Sequence, residues 1–175
     1  MRILELSTEA SVQRLYIDPL AAYLRTQGHT VYQYWGFHRK ISLFDIFSVI
    51  TVFWKLRRLK IDVLHVQTAK AGAIGRIAAL LAQTKRVVYT AHDFPFHANL
   101  SDRRRRVYIW IEWVLAHCCH AITTDSPDGR NQGITYGIAP LRKFAVIPVG
   151  VDTEHFAPFP RPSSPILVIG TVARL

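Results

Sequence analysis

The stretch DVLHVQTAKAGAIGRIAALLAQTKRVVYTAHDFPFH, Asp62–His97, decides the fold. DVLHVQ (62–67) and RVVYTA (86–91) are short runs rich in β-branched residues, and each reads as a strand. Between them, Lys70–Gln83 reads as a helix of small and aliphatic residues. Both strands are apolar runs rather than polar-apolar alternations, the pattern of strands covered on both faces of a parallel sheet.

The same alternation extends outward in both directions. Arg2–Ser7 is the first strand, and the helix after it ends at Gln27, where Gly28 supplies the left-handed stop. Asp18-Pro19 is either an N-cap with proline at the first helical position or a kink in a helix begun earlier. His29–Tyr34 is the second strand. Ser42–Lys60 is a helix whose Ser42 and Asp45 resemble a capping box. Its polar stripe of Asp45, Ser48, Lys55 and Arg58 is narrow, so most of its surface must be buried or touch something apolar. Downstream, Ser101–His117 is a helix, Ala121–Thr124 a strand, Pro127–Tyr136 a helix and Phe144–Ile147 a strand. The fold class is α/β, a Rossmann-like parallel sheet with helices on both faces. Ligands of such sheets bind at the carboxyl ends of the strands, which directs attention to Thr8–Arg14, Thr68–Gly72, His92–Leu100 and Asp125–Gly129.

Composition narrows the partners. The 175 residues carry 22 lysines and arginines against 12 acidic residues, a formal charge of +10. That excess favours an anionic partner: nucleic acid, an acidic membrane surface or a phosphorylated ligand. Half the residues are apolar, which excludes a disordered chain. The two cysteines, Cys118 and Cys119, are adjacent, so neither a disulfide framework nor a zinc quartet is available. The N-terminal MRILELSTEA reads as a strand rather than a signal peptide. Leu43–Leu59 is too short and too charged to span a bilayer.

Three segments carry candidate chemistry. No Walker loop or G-x-G-x-x-G is present, and the loop STEASVQR (7–14) has no glycine with which to approach a pyrophosphate. AKAGAIGR (69–76) either receives an anion at a helix N-terminus or uses Gly72 and Gly75 to bring the helix close to the sheet. Arg103, Arg104, Arg105 and Arg106 fill a first helical turn, against the helix dipole, with only Asp102 to offset them. They form either a solvated basic face or a patch for anionic lipid or nucleic acid. In YTAHDFPFH (89–97), His92, Asp93 and His97 lack the spacing of a zinc site, and no further ligand is implied. His92 instead ends a buried strand, where an imidazole can hydrogen-bond a substrate hydroxyl.

Prolines 148, 158, 160, 162 and 165 crowd the next segment. The expected organisation is a domain over 1–147, a linker over 148–165 and, over 166–175, the first strand of a second domain absent from this sequence.

Several of these stretches together resemble one family. VIPVGVDTEHFAP resembles the interdomain signature of retaining family-4 glycosyltransferases. The Asp62–His97 stretch is similar to members that build bacterial exopolysaccharide and capsule, and GTVARL resembles the start of their second domain. The resemblance implies a GT-B architecture, two Rossmann-like domains facing across a cleft, with the N-terminal domain on the acceptor side. It implies a retaining hexosyltransferase that takes a sugar from a nucleotide-diphosphate donor to a lipid-linked or polysaccharide acceptor, without metal or other cofactor. His92 falls on the family's sugar-contacting histidine and Arg174 on its diphosphate-binding arginine. Thr8, Glu9, Asp93, Phe94 and His97 fall on the acceptor side. Arg103–Arg106 would face an anionic membrane, placing the enzyme in the cytoplasm, peripheral on the inner face of the membrane; nucleic acid is not an expected partner. The chain alone, lacking the donor half, is expected to be inactive. A non-enzymatic basic binding module is the alternative. The sequence departs from the family pattern at Gln67, Ala69, Asp93, Val149 and Ala173.

Overall fold

A computed structural model describes residues 1–8, 10–35, 37, 42–96, 100–150, 153–154, 157 and 170. The expected second-domain strand, most of the expected linker, and the candidate residues Glu9, His97 and Arg174 lie outside the described residues. The strands are β1 (Arg2–Leu6), β2 (Thr30–Tyr34), β3 (Val63–Gln67), β4 (Arg86–Ala91), β5 (Ala121–Thr124) and β6 (Phe144–Val146). All pair in parallel, in the order β2-β1-β3-β4-β5-β6. The chain steps one way from β1 to β2 and then the other way from β3 onward. The carboxyl ends of β1 and β3 therefore form a topological switch point, where loops diverge and open a crevice.

Helix α1 is one helical run assembled from Ala10–Val12, a π-helical segment Gln13–Ile17 and Asp18–Thr26. Of the two readings of Asp18-Pro19, the structure thus takes a helix begun earlier. A proline inside a regular helix removes one hydrogen bond and collides with the carbonyl four residues back. The widened π turn just before Pro19 accommodates both effects. The run ends before Gly28, whose φ is +77°.

The remaining helices are α2 (Asp45–Arg58), α3 (Ala69–Ala82), α4 (Asp102–Ala116) and α5 (Pro127–Thr135). Successive strand residues point to opposite faces. Leu4, Leu6, Leu64, Val66, Tyr89 and Ile122 join the large core with Val52 and Leu56 of α2, Ile74 and Ala78 of α3 and Ala116 of α4. Ile3 and Val31 turn the other way, onto Ala21 of α1. Helices therefore lie on both faces.

Two sequence expectations need correction. The face shared with α1 is not continuously apolar. It carries a polar chain across four strands: Glu5 Oε2 lies 2.8 Å from His65 Nδ1, His65 Nε2 2.7 Å from Thr90 Oγ1, and Thr90 Oγ1 2.6 Å from Thr123 Oγ1. The two threonines and His65 hydrogen-bond across the strands, which keeps polar groups together on a face that apolar packing would exclude them from. The second correction concerns α2, which buries only Val52 and Leu56. Leu43 (87% exposed), Phe44, Phe47 and Trp54 face outward. Among the described residues nothing covers them, because α2 spends its other side on α3.

The glycines of α3 settle the reading of AKAGAIGR. A Cβ at Gly75 would collide with Val66 and come within 2.9 Å of Leu6; one at Gly72 would come within 2.7 Å of Tyr89. Both glycines serve close packing of the helix on the sheet. Arg76 is not available to an anion either. It is fully buried, its Nη2 donates to Glu112 Oε2 of α4 at 2.9 Å, and its Nε donates to the Gly72 carbonyl. Its guanidinium also stacks 4.0 Å from the centre of the Tyr89 ring. Burial pushes the Glu112 carboxyl and the Tyr89 hydroxyl up from their ordinary pKa values, with Arg76 pulling both the other way.

Helix α3 begins at a strained residue. Thr68, just ahead of it, has φ +73° and ψ 152°, a region almost reserved for glycine. Its carbonyl accepts from Gly72 N–H at 2.8 Å, and its hydroxyl lies 2.8 Å from that of Thr8, across the switch point.

Two outcomes are expected. Glu112→Ala strands a buried guanidinium and should lower unfolding free energy by about 3–5 kcal/mol, whereas Glu112→Ala combined with Arg76→Met should recover part of the loss. Urea titration of the single and double variants reads this. At position 68, glycine should be more stable than alanine by roughly 1–3 kcal/mol, the usual ranking reversed. Equal melting temperatures for the two variants would mean that the backbone there is relaxed.

Candidate functional site

The carboxyl ends of β1, β3, β4 and β5 gather the chemistry. His92 follows β4 directly. Its Nδ1 lies 2.8 Å from Asp125 Oδ2, just past β5, and its Nε2 lies 3.0 Å from Gln67 Oε1, the last residue of β3. The imidazole thus bridges three strand ends. Tyr16 of α1 stands over it, with ring centroids 4.8 Å apart. Asp125 accepts the Nδ1 proton and so fixes the ring's orientation. With Gln67 Oε1 as acceptor, the ring donates from both nitrogens, as an imidazolium does. A half-turn of the Gln67 amide presents its NH₂ instead and suits the neutral ring. Either way, both ring nitrogens are engaged by the protein. A substrate hydroxyl that binds Nε2 must displace Gln67.

Ser7, Gln13 and Asp18 buttress the neighbouring ground. Gln13, in the π segment, is buried, lies 3.4 Å from Ser7 Oγ through Oε1 and donates through Nε2 to Asp18 Oδ1 at 2.8 Å. The π turn therefore carries Gln13 and Tyr16 toward the strand ends, a placement in keeping with the frequent use of π turns at functional sites.

A cavity of about 440 Å³ opens above this cluster, lined by Ser11, Val12, Leu15, Tyr16, Thr68, Ala69, His92 and Asp93. A smaller one, about 230 Å³, lies on the other side of His92 and Asp93, against Ser126, Asp128 and Gly129 at the start of α5. The structure thus brings together His92, Asp93 and, through its bond to Thr68, Thr8. Phe94 turns inward: it is buried and stacks on Phe96 at 5.0 Å, so it holds the loop more than it presents a surface. Among the described residues, no group of three or more His, Cys, Asp or Glu side chains comes together. Arg103, Arg104 and Arg106 are exposed on α4, while Arg105 pairs with Asp102 at 3.5 Å and donates to the Leu100 carbonyl.

Sequence reasoning did not single out Gln67 and Asp125 as partners of His92. The available signal was positional: both sit at strand ends, and in a parallel sheet strand ends meet at one edge. Tyr16 gave no such signal, since its placement depends on the π turn.

Comparison with known proteins places this geometry. The chain matches the Glycosyltransferase Family 4 domain over residues 13–155. It is 36% identical over 121 residues to an Escherichia coli UDP-Gal:alpha-D-GlcNAc-diphosphoundecaprenol alpha-1,3-galactosyltransferase, covering 69% of this chain and 31% of that protein. Among solved structures it resembles a glycosyltransferase from Rickettsia africae (TM-score 0.65, 16% identity, 89% of this chain and 45% of that one). It also resembles Anabaena HepE in complex with UDP and glucose (TM-score 0.61, 18% identity, 88% and 46%). A UDP-GlcNAc 2-epimerase from Methanocaldococcus jannaschii shares the fold as well (TM-score 0.62, 15% identity, 83% and 45%), so the fold alone does not choose the chemistry. The chain spans less than half the length of each of these relatives. The domain match over most of its residues, on a GT-B Rossmann-like parallel sheet, shows that the chain belongs to glycosyltransferase family 4.

Proposed function

We propose that this chain forms the acceptor-side half of a retaining glycosyltransferase, which moves a hexose from a nucleotide-diphosphate sugar to a lipid-linked or polysaccharide acceptor in exopolysaccharide or capsule synthesis. The carrying observation is His92, braced between Asp125 and Gln67 beside the switch-point crevice. A histidine so oriented can hydrogen-bond a hydroxyl of the transferred sugar, with Gln67 yielding its place. Thr8, Glu9, Asp93 and His97 would meet the acceptor, and Phe94 would shape the loop from within. Arg174 would hold the donor diphosphate, a role suited to a planar guanidinium, and no metal would be required. The E. coli relative's lipid diphosphate substrate favours a lipid-linked acceptor here.

The same reading puts the chain on the cytoplasmic face of an anionic membrane. On one face of α4, Arg103 and Arg106 are followed by Val107, Trp110 and Trp113, all exposed. Cations beside tryptophans suit the headgroup region of a bilayer better than they suit nucleic acid. No described helix is long and apolar enough to cross a membrane.

Donor positioning needs the facing half of the cleft. This chain alone, given UDP-galactose and lipid-linked N-acetylglucosamine, should therefore yield no product. Supplied with a donor-binding half, it should transfer sugar, and His92→Ala should then lower kcat/KM roughly 10- to 100-fold, the loss of one hydrogen bond. Turnover by the chain alone, or an unaffected His92→Ala enzyme, would refute the assignment. In flotation with anionic vesicles, exchanging Arg103, Arg104 and Arg106 for glutamate should weaken binding about 100-fold or more, each cation contributing about 1 kcal/mol. Steeply salt-dependent binding to DNA with no lipid preference would instead favour a nucleic-acid module.

A further inference from the structure

A third cavity, about 390 Å³, lies against the sheet itself, on the α1 side and below His92. Helix α1 packs over β1 and β2, where Ala21 meets Ile3 and Val31. Over β3, β4 and β5 the same face meets the cavity instead, and there it is polar. His65, Gln67, Thr90 and Thr123 line it, with His92 and Asp125 at its upper edge. Gln67, Thr90 and Thr123 stand side by side across the three strands. The other walls are apolar, Leu20 of α1 on one side and Pro148 and Val149 on the other. Tyr16 and His92 line both this cavity and the one of about 440 Å³, so the stacked pair divides an upper chamber from a lower one.

The lower chamber holds unused hydrogen-bonding capacity. Gln67 is 2% exposed, gives one amide atom to His92 and has no partner for the other among the described residues. Thr123, 8% exposed, ends the chain that starts at Glu5, and its hydroxyl meets only Thr90 there. A hydroxyl has one donor and two acceptor positions, so further positions stay open. Asp125 gives His92 one carboxylate oxygen and keeps the second. Among the described residues no lysine or arginine lines the chamber, so a phosphate would meet no permanent cation in it.

We infer that the lower chamber is a carbohydrate site that takes an uncharged pyranose, its hydroxyls on Gln67, Thr123 and Asp125 and its C–H face against Leu20 and Pro148. The match is one of shape and polarity: a pyranose carries hydroxyls around its edge and hydrocarbon on its faces, and the chamber has a polar floor between apolar walls. A buried amide atom without a partner is costly, and a ligand hydroxyl supplies the partner. The volume is ordinary for a ligand pocket of about 300–1,000 Å³. The inference rests on the proposed function for the source of the sugar, which is either the transferred hexose or the acceptor's own sugar.

The test is an NMR titration of this chain with methyl galactoside, standing for the hexose, and methyl N-acetylglucosaminide, standing for the acceptor sugar. His65 lines the lower chamber and Thr68 the upper one, so the His65 imidazole and the Thr68 amide report the two separately. At least one glycoside should shift the His65 signal with a saturable curve, and the tighter of the two identifies the source. Galactose 1-phosphate should act there more weakly than methyl galactoside. Thr123→Val should weaken the His65 response roughly 3- to 10-fold, the loss of one hydrogen bond. Val149→Trp alters a residue that is 42% exposed, leaves the polar floor in place and should abolish the response by filling the chamber. Thermal unfolding checks that each variant is folded. A glycoside response confined to Thr68 overturns the lower chamber and leaves the sugar reading of His92 standing. A His65 response unchanged in both folded variants, or one that favours the sugar phosphate, also overturns it. No response at either residue removes both readings.

Discussion

The structure depends on how closely α3 lies against the middle of the sheet. Gly75 faces Val66 and Leu6 with no room for a methyl group, and Gly72 faces the ring of Tyr89. That closeness sets two further features. It buries Arg76, which then requires Glu112 of α4 and so ties two neighbouring helices together beneath the surface. It also fixes where α3 begins, at a threonine held in a glycine-like conformation directly over the crevice between β1 and β3. The N-terminus of α3 thus forms part of the rim of the cavity over His92.

Much of this was legible in the sequence, and the reasons differ by element. Asp62–Ala91 announced its strand, helix and strand because buried parallel strands have a distinctive apolar continuity and small residues mark close helix packing. His92 was legible because it ends such a strand. Arg76 was not, since an arginine in a helix ordinarily reads as surface and Glu112 lies too far along the chain to declare itself a partner. For a related reason the residues left the apolar face of α2 open between burial and contact with something apolar. Hydrophobic patterning reports what a surface wants, and nothing in the residues says whether the rest of the domain supplies it. The π turn before Pro19 left no local mark beyond the proline itself.

The site shows how a fold shared with an epimerase is given a particular use. The parallel sheet delivers strand ends to one edge whatever the chemistry. What is specific is the side chain placed at each end: Gln67, His92 and Asp125, joined so that the imidazole cannot rotate and its second nitrogen is released only by exchange. In the proposed role such a ring would be preorganised, with little orientational freedom left to lose on meeting a sugar hydroxyl.

The polar chain on the α1 side of the sheet has a consequence for folding fidelity. Glu5, His65, Thr90 and Thr123 come from four strands, and Thr90 is shared between two partners. Sliding any one of these strands by a single residue would turn its polar group into the opposite, hydrocarbon-filled face and leave its neighbours without partners. Ordinary apolar strands tolerate such slippage more readily. Here the four residues act as a lock on alignment that closes only when β1, β3, β4 and β5 are all in place. Correct assembly of the sheet is thereby tied to the alignment that brings Gln67, His92 and Asp125, each two residues further along its strand, to one edge.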